Sequence, residues 1–328
     1  MRREFVLASV VLTGALVTAA ATIAAQQAPA AGAPAAPGQG REGGQGRGGG
    51  RGAPQVPGPI EKVADNLYMI PAAGGNSGVF ITANGVVLVD TKNPNNGQLI
   101  LDQIKTVTDK PITHIINTHT HGDHNGSNIF FPATVEIVTH ENTQANMKKM
   151  PAFQDAANAH GLPDRAFKDR LTLLSGNDAI DLYYFGASHT NGDAIVVFRN
   201  LRVAHTGDMF ASKGQPLIDR PNGGSGVEYG ATIAKAAAGI KNVDRVITGH
   251  ATVFPWQDFV MYGEVNRLVL DYSRQALKAG KTAEQAAMEF MMPEKFSAAG
   301  YTYGGAGRGR GAPGGNFATI FEELQTAK

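Results

Sequence analysis

From residue 66 onward, hydrophobic and polar positions recur with two distinct periods, and these predict a succession of strands and helices. "NLYMI" at 66–70 reads as a strand. In "GVFITANGVVLVDT" at 78–91, two apolar, β-branched runs flank Asn84-Gly85, a hairpin signal. "GQLILDQIKTV" places Leu99, Ile100, Ile104 and Val107 at helical spacing, which predicts an amphipathic helix over 97–107. "ITHIINTH" at 112–119 reads as a strand running directly into a histidine cluster. A short helix from about Gly126, a strand at 134–140 and a helix at 141–150 follow, then a strand at 181–185. The runs 194–200 and 201–208 suggest a hairpin, 227–240 a helix, 243–250 a strand and 257–279 a long helix. Val265, Leu268, Val269 and Tyr272 form the apolar stripe of that last helix. Strands alternating with helices predict an α/β domain whose buried sheets are covered by helices.

The two ends of this pattern have a different composition. Residues 1–25 run from Met1-Arg2-Arg3 through an apolar stretch, Phe5 to Ala21, to a small-residue exit, the build of a secretory signal peptide. The apolar stretch is short for a membrane span, so the expectation is a periplasmic or secreted protein with no stable membrane insertion after cleavage. Residues 26–59 are almost entirely Ala, Gly, Pro, Gln and Arg and cannot bury enough apolar surface to offset their ordering entropy, so they are expected to be a disordered linker. That leaves 60–328 as one domain, interrupted at 304–316 by a Gly/Arg-rich stretch expected to be a surface loop. A formal net charge of +1 argues against a nucleic-acid partner. There are no cysteines, so a metal site must be built from histidine and carboxylate.

"THTHGDHNGSN" at 118–128 holds the densest chemistry in the chain. Imidazoles at this density rarely serve packing, because each carries a polar edge that needs a partner when buried. His119 and His121 are one residue apart, so in extended backbone both can face one ion. Asp123 and His124 follow Gly122, expected to let the chain turn and aim them at a neighbouring point. His189, Asp208 and His250 each lie beside small residues at an apparent strand end. The seven would divide into His119, His121 and His189 around one ion and Asp123, His124 and His250 around another, with Asp208 between. His114, His140, His160 and His205 lack ligand neighbours at useful spacing and read as structural or surface groups.

This pattern resembles the metallo-β-lactamase fold superfamily, whose HxHxDH motif stands here as His119-Thr120-His121-Gly122-Asp123-His124. The later His, Asp and His of that family match His189, Asp208 and His250 in order, over roughly residues 60–275. The resemblance implies a four-layer αββα sandwich with metals at one edge, and it makes Asp90 in "VVLVDT" the aspartate that orients a metal ligand from behind. It also implies that Lys213 and Asn222 border the substrate pocket, although a solvated loop charge and a turn former are the simpler account of the two residues.

Two divalent ions would bring a shared water to hydroxide near neutral pH, ready to attack a carbonyl. Asp123 is expected both to bind metal and to orient that nucleophile or pass its proton. Zinc is the default metal, and iron or manganese suits the same ligands. The substrate expected is a small molecule with a hydrolysable carbonyl, a β-lactam amide first. Lactone, ester or thioester hydrolysis and iron-dependent oxidation are the alternatives. An aspartate at 208 resembles the wider hydrolase branch more than the lactamases, which place cysteine or a non-ligand there.

Overall fold

The computed structural model describes residues 56–303 and 314–326. The signal peptide expected at 1–25, nearly all of the 26–59 linker and positions 304–313 of the Gly/Arg-rich stretch lie outside the described residues. Among the described residues, thirteen strands form two sheets. The first holds β1 (Glu61–Ala64), β2 (Leu67–Ile70), β3 (Ser77–Ile81), β4 (Val86–Val89), β5 (Ile112–Ile116), β6 (Glu136–His140) and β7 (Arg165–Phe167) side by side in chain order. The second holds β8 (Arg170–Leu173), β9 (Ile180–Tyr183), β10 (Ile195–Phe198), β11 (Val203–His205), β12 (Arg245–Ile247) and β13 (Phe254–Pro255), again side by side in chain order. The helices are α1 (Gly97–Lys105), α2 (Gly122–Asn125), α3 (Glu141–Met147), α4 (Tyr229–Gly239), α5 (Trp256–Lys278), α6 (Ala283–Glu289), α7 (Glu294–Ser297) and α8 (Asn316–Thr326). None among the described residues is long and apolar enough to cross a membrane.

Alternation along the strands builds the layers. In β4, Val87 and Val89 face inward with Phe80, Ile116 and Val138, meeting Val196, Phe198 and Val203 of the second sheet. Val86 and Leu88 point the other way and pack beneath Ile100 and Ile104 of α1. In β10, Val196 and Phe198 point inward, while Ile195 and Val197 pack under Ile233 of α4 and Val265 and Val269 of α5. A strand buried on both faces reads as a continuous apolar run, as "VVLV" and "IVVF" do. The result is the expected αββα sandwich, with Phe80 and Phe198 in ring contact at 5.2 Å across its middle.

Strand direction then gathers the loops. β4, β5 and β6 are mutually parallel, and so are β11 and β12. Asp90, the 117–125 segment, Asp208 and His250 therefore all follow strand ends on one edge. Because β10 is antiparallel to β11, the turn entering it, with His189, reaches that edge too.

Local details correct several expectations. The β3–β4 hairpin forms, but neither Asn84 nor Gly85 has positive φ. The turn is closed by Thr82 donating to the Gly85 carbonyl at 2.8 Å, and a Cβ at Gly85 would meet Thr113 at 2.5 Å. Gly122 makes no left-handed turn. It begins α2, so the short helix carries Asp123 and His124 instead of starting at Gly126. β5 ends at Ile116, which leaves His119 in the loop beyond it. The chain also adds β1, β7, β8, β13 and α6 to α8, which the sequence pattern did not single out.

Candidate metal centre

Asp90 caps β4 in the left-handed region, φ 62°, and is fully buried. Its Oδ1 accepts the Thr118 N–H at 2.8 Å, and its Oδ2 accepts the Thr118 hydroxyl at 2.7 Å and Nδ1–H of His124 at 2.7 Å. These bonds assign tautomers. The His124 proton sits on Nδ1, which frees Nε2. Thr118 gives its only proton to Asp90, so it accepts from Nδ1–H of His119 at 3.0 Å, and His119 Nε2 carries a lone pair.

The same logic fixes the other two imidazoles of the first set. His121 Nε2 donates to Asp219 Oδ2 at 2.6 Å, and His189 Nδ1 donates to the Leu217 carbonyl at 2.8 Å. Lone pairs then remain on His121 Nδ1 and His189 Nε2, which face each other at 2.9 Å. Two acceptors at that distance need a proton or a metal ion between them. Asp193 braces the turn carrying His189, accepting from the Ser188 hydroxyl at 2.5 Å and the Thr190 N–H at 2.8 Å.

Asp208 stands between this set and the second. Its Oδ2 lies 3.7 Å from His189 Nε2, and its Oδ1 lies 3.2 Å from Nε2 of both His124 and His250. Asp123 Oδ2 closes the second set at 3.4 Å from His250 Nε2 and 4.0 Å from His124 Nε2. Two groups with metal-ligand spacing result: His119, His121, His189 and Asp208, and Asp123, His124 and His250. Missing side chains at two glycines make room. A Cβ on Gly249 would sit 2.0 Å from Asp208 Oδ1, and one on Gly75 would sit 2.1 Å from His124 Cε1.

Two observations show that these residues fit divalent ions. Four buried side-chain polar atoms among the described residues lack a hydrogen-bond partner, and two of them, His119 Nε2 and Asp208 Oδ1, lie here. The carboxylates also draw positive charge into a buried place. Burial opposes protonation of His124, but Asp208, Asp90 and Asp123 outweigh it and hold this imidazole well above its ordinary range. His250 is likewise raised to about 9, against burial, chiefly by Asp208. Burial, reinforced by the neighbouring imidazoles, pushes His119 well below its ordinary range. Burial alone would raise Asp123, yet His124 and His250 bring it down to about 2.

The two residues expected at the pocket have other partners. The Lys213 ammonium is 3.0 Å from Asp258 Oδ1, donates to the Ala299 carbonyl at 3.0 Å and lies over the Phe254 and Tyr301 rings. Asn222 donates to Asp219 Oδ2 at 2.6 Å, so it touches the cluster only through the residue that orients His121. Asp219 was not legible as a site residue, being 98 positions from its imidazole. Neither was Lys92, whose fully buried ammonium donates to the carbonyls of Ile70, Ala72 and Gly75 and pins the loop beside His124. The four remaining histidines stand apart from the two groups. His140, for example, caps α3 and donates to the Lys168 carbonyl.

Residues 70–250 match the model of the metallo-beta-lactamase superfamily. Among solved structures, the chain is similar to DIM-1 metallo-beta-lactamase, with TM-score 0.54 and 17% identity over 66% of this chain and 99% of the other. It is also similar to the stereoselective inverting sec-alkylsulfatase Pisa1 from Pseudomonas sp., with TM-score 0.66 and 14% identity over 81% of this chain. A double mutant of that enzyme gives TM-score 0.68 over the same share. The likeness spans 50% of the alkylsulfatase.

Proposed function

The chain belongs to the metallo-beta-lactamase superfamily, and we propose that it is a metal-dependent hydrolase acting on a small-molecule substrate with two zinc ions. The observation that carries this reading is the convergence of histidine and aspartate side chains at metal-ligand spacing on the two sides of Asp208, with His119 Nε2 and Asp208 Oδ1 left without hydrogen-bond partners. His119, His121 and His189 would hold one ion and Asp123, His124 and His250 the other, with Asp208 shared. When bound, the ions supply Lewis acidity that activates water near neutral pH and polarises the bond to be cut.

The side chains supply the rest. Asp90 and Asp219 each take one ring proton and so keep the opposite nitrogen of His124 and His121 free. Asp123, ionised at neutral pH and more open to solvent than Asp208, would accept a hydrogen bond from the attacking water and carry its proton outward. Full activity of Asp123→Asn at full metal occupancy would remove that role.

The first substrate class is a carbonyl compound, with a β-lactam amide ahead of lactones, esters and thioesters. A sulfate ester is the second reading, favoured because the likeness to the alkylsulfatase covers 81% of this chain against 66% for the lactamase. Hydrolysis of a chromogenic cephalosporin and of a secondary alkyl sulfate, by zinc-loaded and by chelated protein, separates the two. Turnover of neither by folded protein with two bound ions would set both aside, and turnover that survives complete metal removal would defeat the hydrolase mechanism itself. Export through residues 1–25 belongs to the same proposal and is checked by the N-terminal residue of the mature chain.

A further inference from the structure

We infer that the C-terminal helix α8 is a clamp that positions the ligands of the first ion, through Asn316 and Glu323; this rests on the two-ion reading above. The two residues are seven positions apart, hence two turns along one helix face. Both are buried, and each holds one end of the 216–227 loop. At the near end, Asn316 Nδ2 donates to the Pro216 carbonyl at 2.8 Å. At the far end, Glu323 accepts from the Gly226 N–H at 2.9 Å and the Ser225 hydroxyl at 2.7 Å, and it pairs with Arg220 at 3.1 Å. Between them Ile320 fills the space a side chain at Gly226 would need, with its Cγ1 2.6 Å from that Cβ position.

What lies between the clamped ends gives this contact its meaning. The Leu217 carbonyl accepts from His189, and the Asp219 carboxylate accepts from His121. The Asp219 N–H in turn donates to the His189 carbonyl at 2.9 Å, and the Ser225 N–H donates to that of Ser188 at 2.9 Å. Two of the three imidazoles of the first set therefore take their orientation from a loop whose ends α8 fixes. The second set takes none of its contacts from this loop: His124 is held by Asp90, and the His250 N–H donates to the Ala211 carbonyl. α8 also lies beyond the 70–250 span of the family match.

The test is a zinc titration of the full chain against a chromophoric chelator, comparing wild type, Glu323→Gln and Asn316→Ala. His121→Ala serves as the reference for a chain with a crippled first set. The expected result is that each clamp variant loses about tenfold in one of the two zinc affinities, the low end of the range for groups behind metal ligands. The other affinity stays at the value the reference retains. Asn316→Ala removes the hydrogen bonds to the Pro216 carbonyl and the Tyr303 hydroxyl and no charge, so it carries the test if Glu323→Gln fails to fold. Wild-type protein that binds two ions, with both variants unchanged or weakened equally at both ions, overturns the clamp alone. Wild-type protein that binds no zinc overturns the two-ion reading and the clamp with it.

Discussion

Asp90 Oδ2 and His124 Nδ1 are hydrogen-bonded at 2.7 Å, and both side chains are wholly shielded from solvent. Asparagine suits the left-handed backbone of position 90 as well as aspartate does, so Asp90→Asn changes the contacts of the carboxylate, to Thr118 as well as to His124, and leaves the backbone alone. Its amide N–H would face Nδ1 and force the ring proton onto Nε2, toward the second ligand set. The expected outcome is a folded protein whose affinity for one of two ions falls by about 10- to 100-fold. Equilibrium dialysis against buffered zinc measures it, and two full-affinity ions in the variant would sink the tautomer argument.

The two carboxylates within the cluster should respond differently to removal of charge. Asp208 approaches His189 through one oxygen and His124 and His250 through the other, whereas Asp123 approaches only His124 and His250. Asp208→Asn is expected to weaken both ions and Asp123→Asn only one. Metal content per chain after identical dialysis distinguishes the cases, and identical occupancy in the two variants would contradict the shared position of Asp208.

Lys213 tests whether a basic residue close after Asp208 serves substrate or structure. With its ammonium between Asp258, the Ala299 carbonyl and two aromatic faces, Lys213→Met should lower stability by about 2 kcal/mol, the scale of a hydrogen bond to a charged group. KM for any substrate the enzyme turns over should stay within about twofold, since that ammonium already has its partners. A large rise in KM at unchanged stability would return Lys213 to the substrate pocket.

Which residues converge was legible because metal-ligand types are rare beside small residues at strand ends, and parallel strands bring such ends to one edge. The layers were legible for a similar reason: "VVLV" and "IVVF" can be buried on both faces only between a helix and a second sheet. Contacts closed by tertiary distance left no local trace. His121 and Asp219, or Ser225 and Glu323, meet because loops fold back across about a hundred positions, and no periodicity encodes a loop's return. The displaced short helix has a local cause. A glycine before "DHN" reads as a turn, but once His121, in extended conformation, precedes a helix, Gly122 serves as its first residue at no cost in backbone strain.

His205 supplies a pH dependence from outside the metal ligands. It is wholly buried between the sheets at the end of β11, where Nε2–H donates to the Asn76 carbonyl at 3.1 Å and Nδ1 accepts the Gly207 N–H at 3.1 Å. Both nitrogens are thus satisfied only in the neutral ring, and burial lowers its pKa from 6.5 to about 4. The unfolded chain binds this proton first on acidification. The stability it contributes is therefore fully present above pH 6.5 and is lost as pH falls toward 4, by about 3 kcal/mol across the window. Glutamine can keep the donation to Asn76 without titrating, so His205→Gln should show a shallower fall of the urea midpoint between pH 6.5 and 4 than the wild type. Equal slopes would mean that His205 takes up its proton without loss of fold. A proton on Nδ1 would also push against the N–H of Gly207, which directly precedes Asp208, so acid should loosen the shared carboxylate before the sandwich itself unfolds.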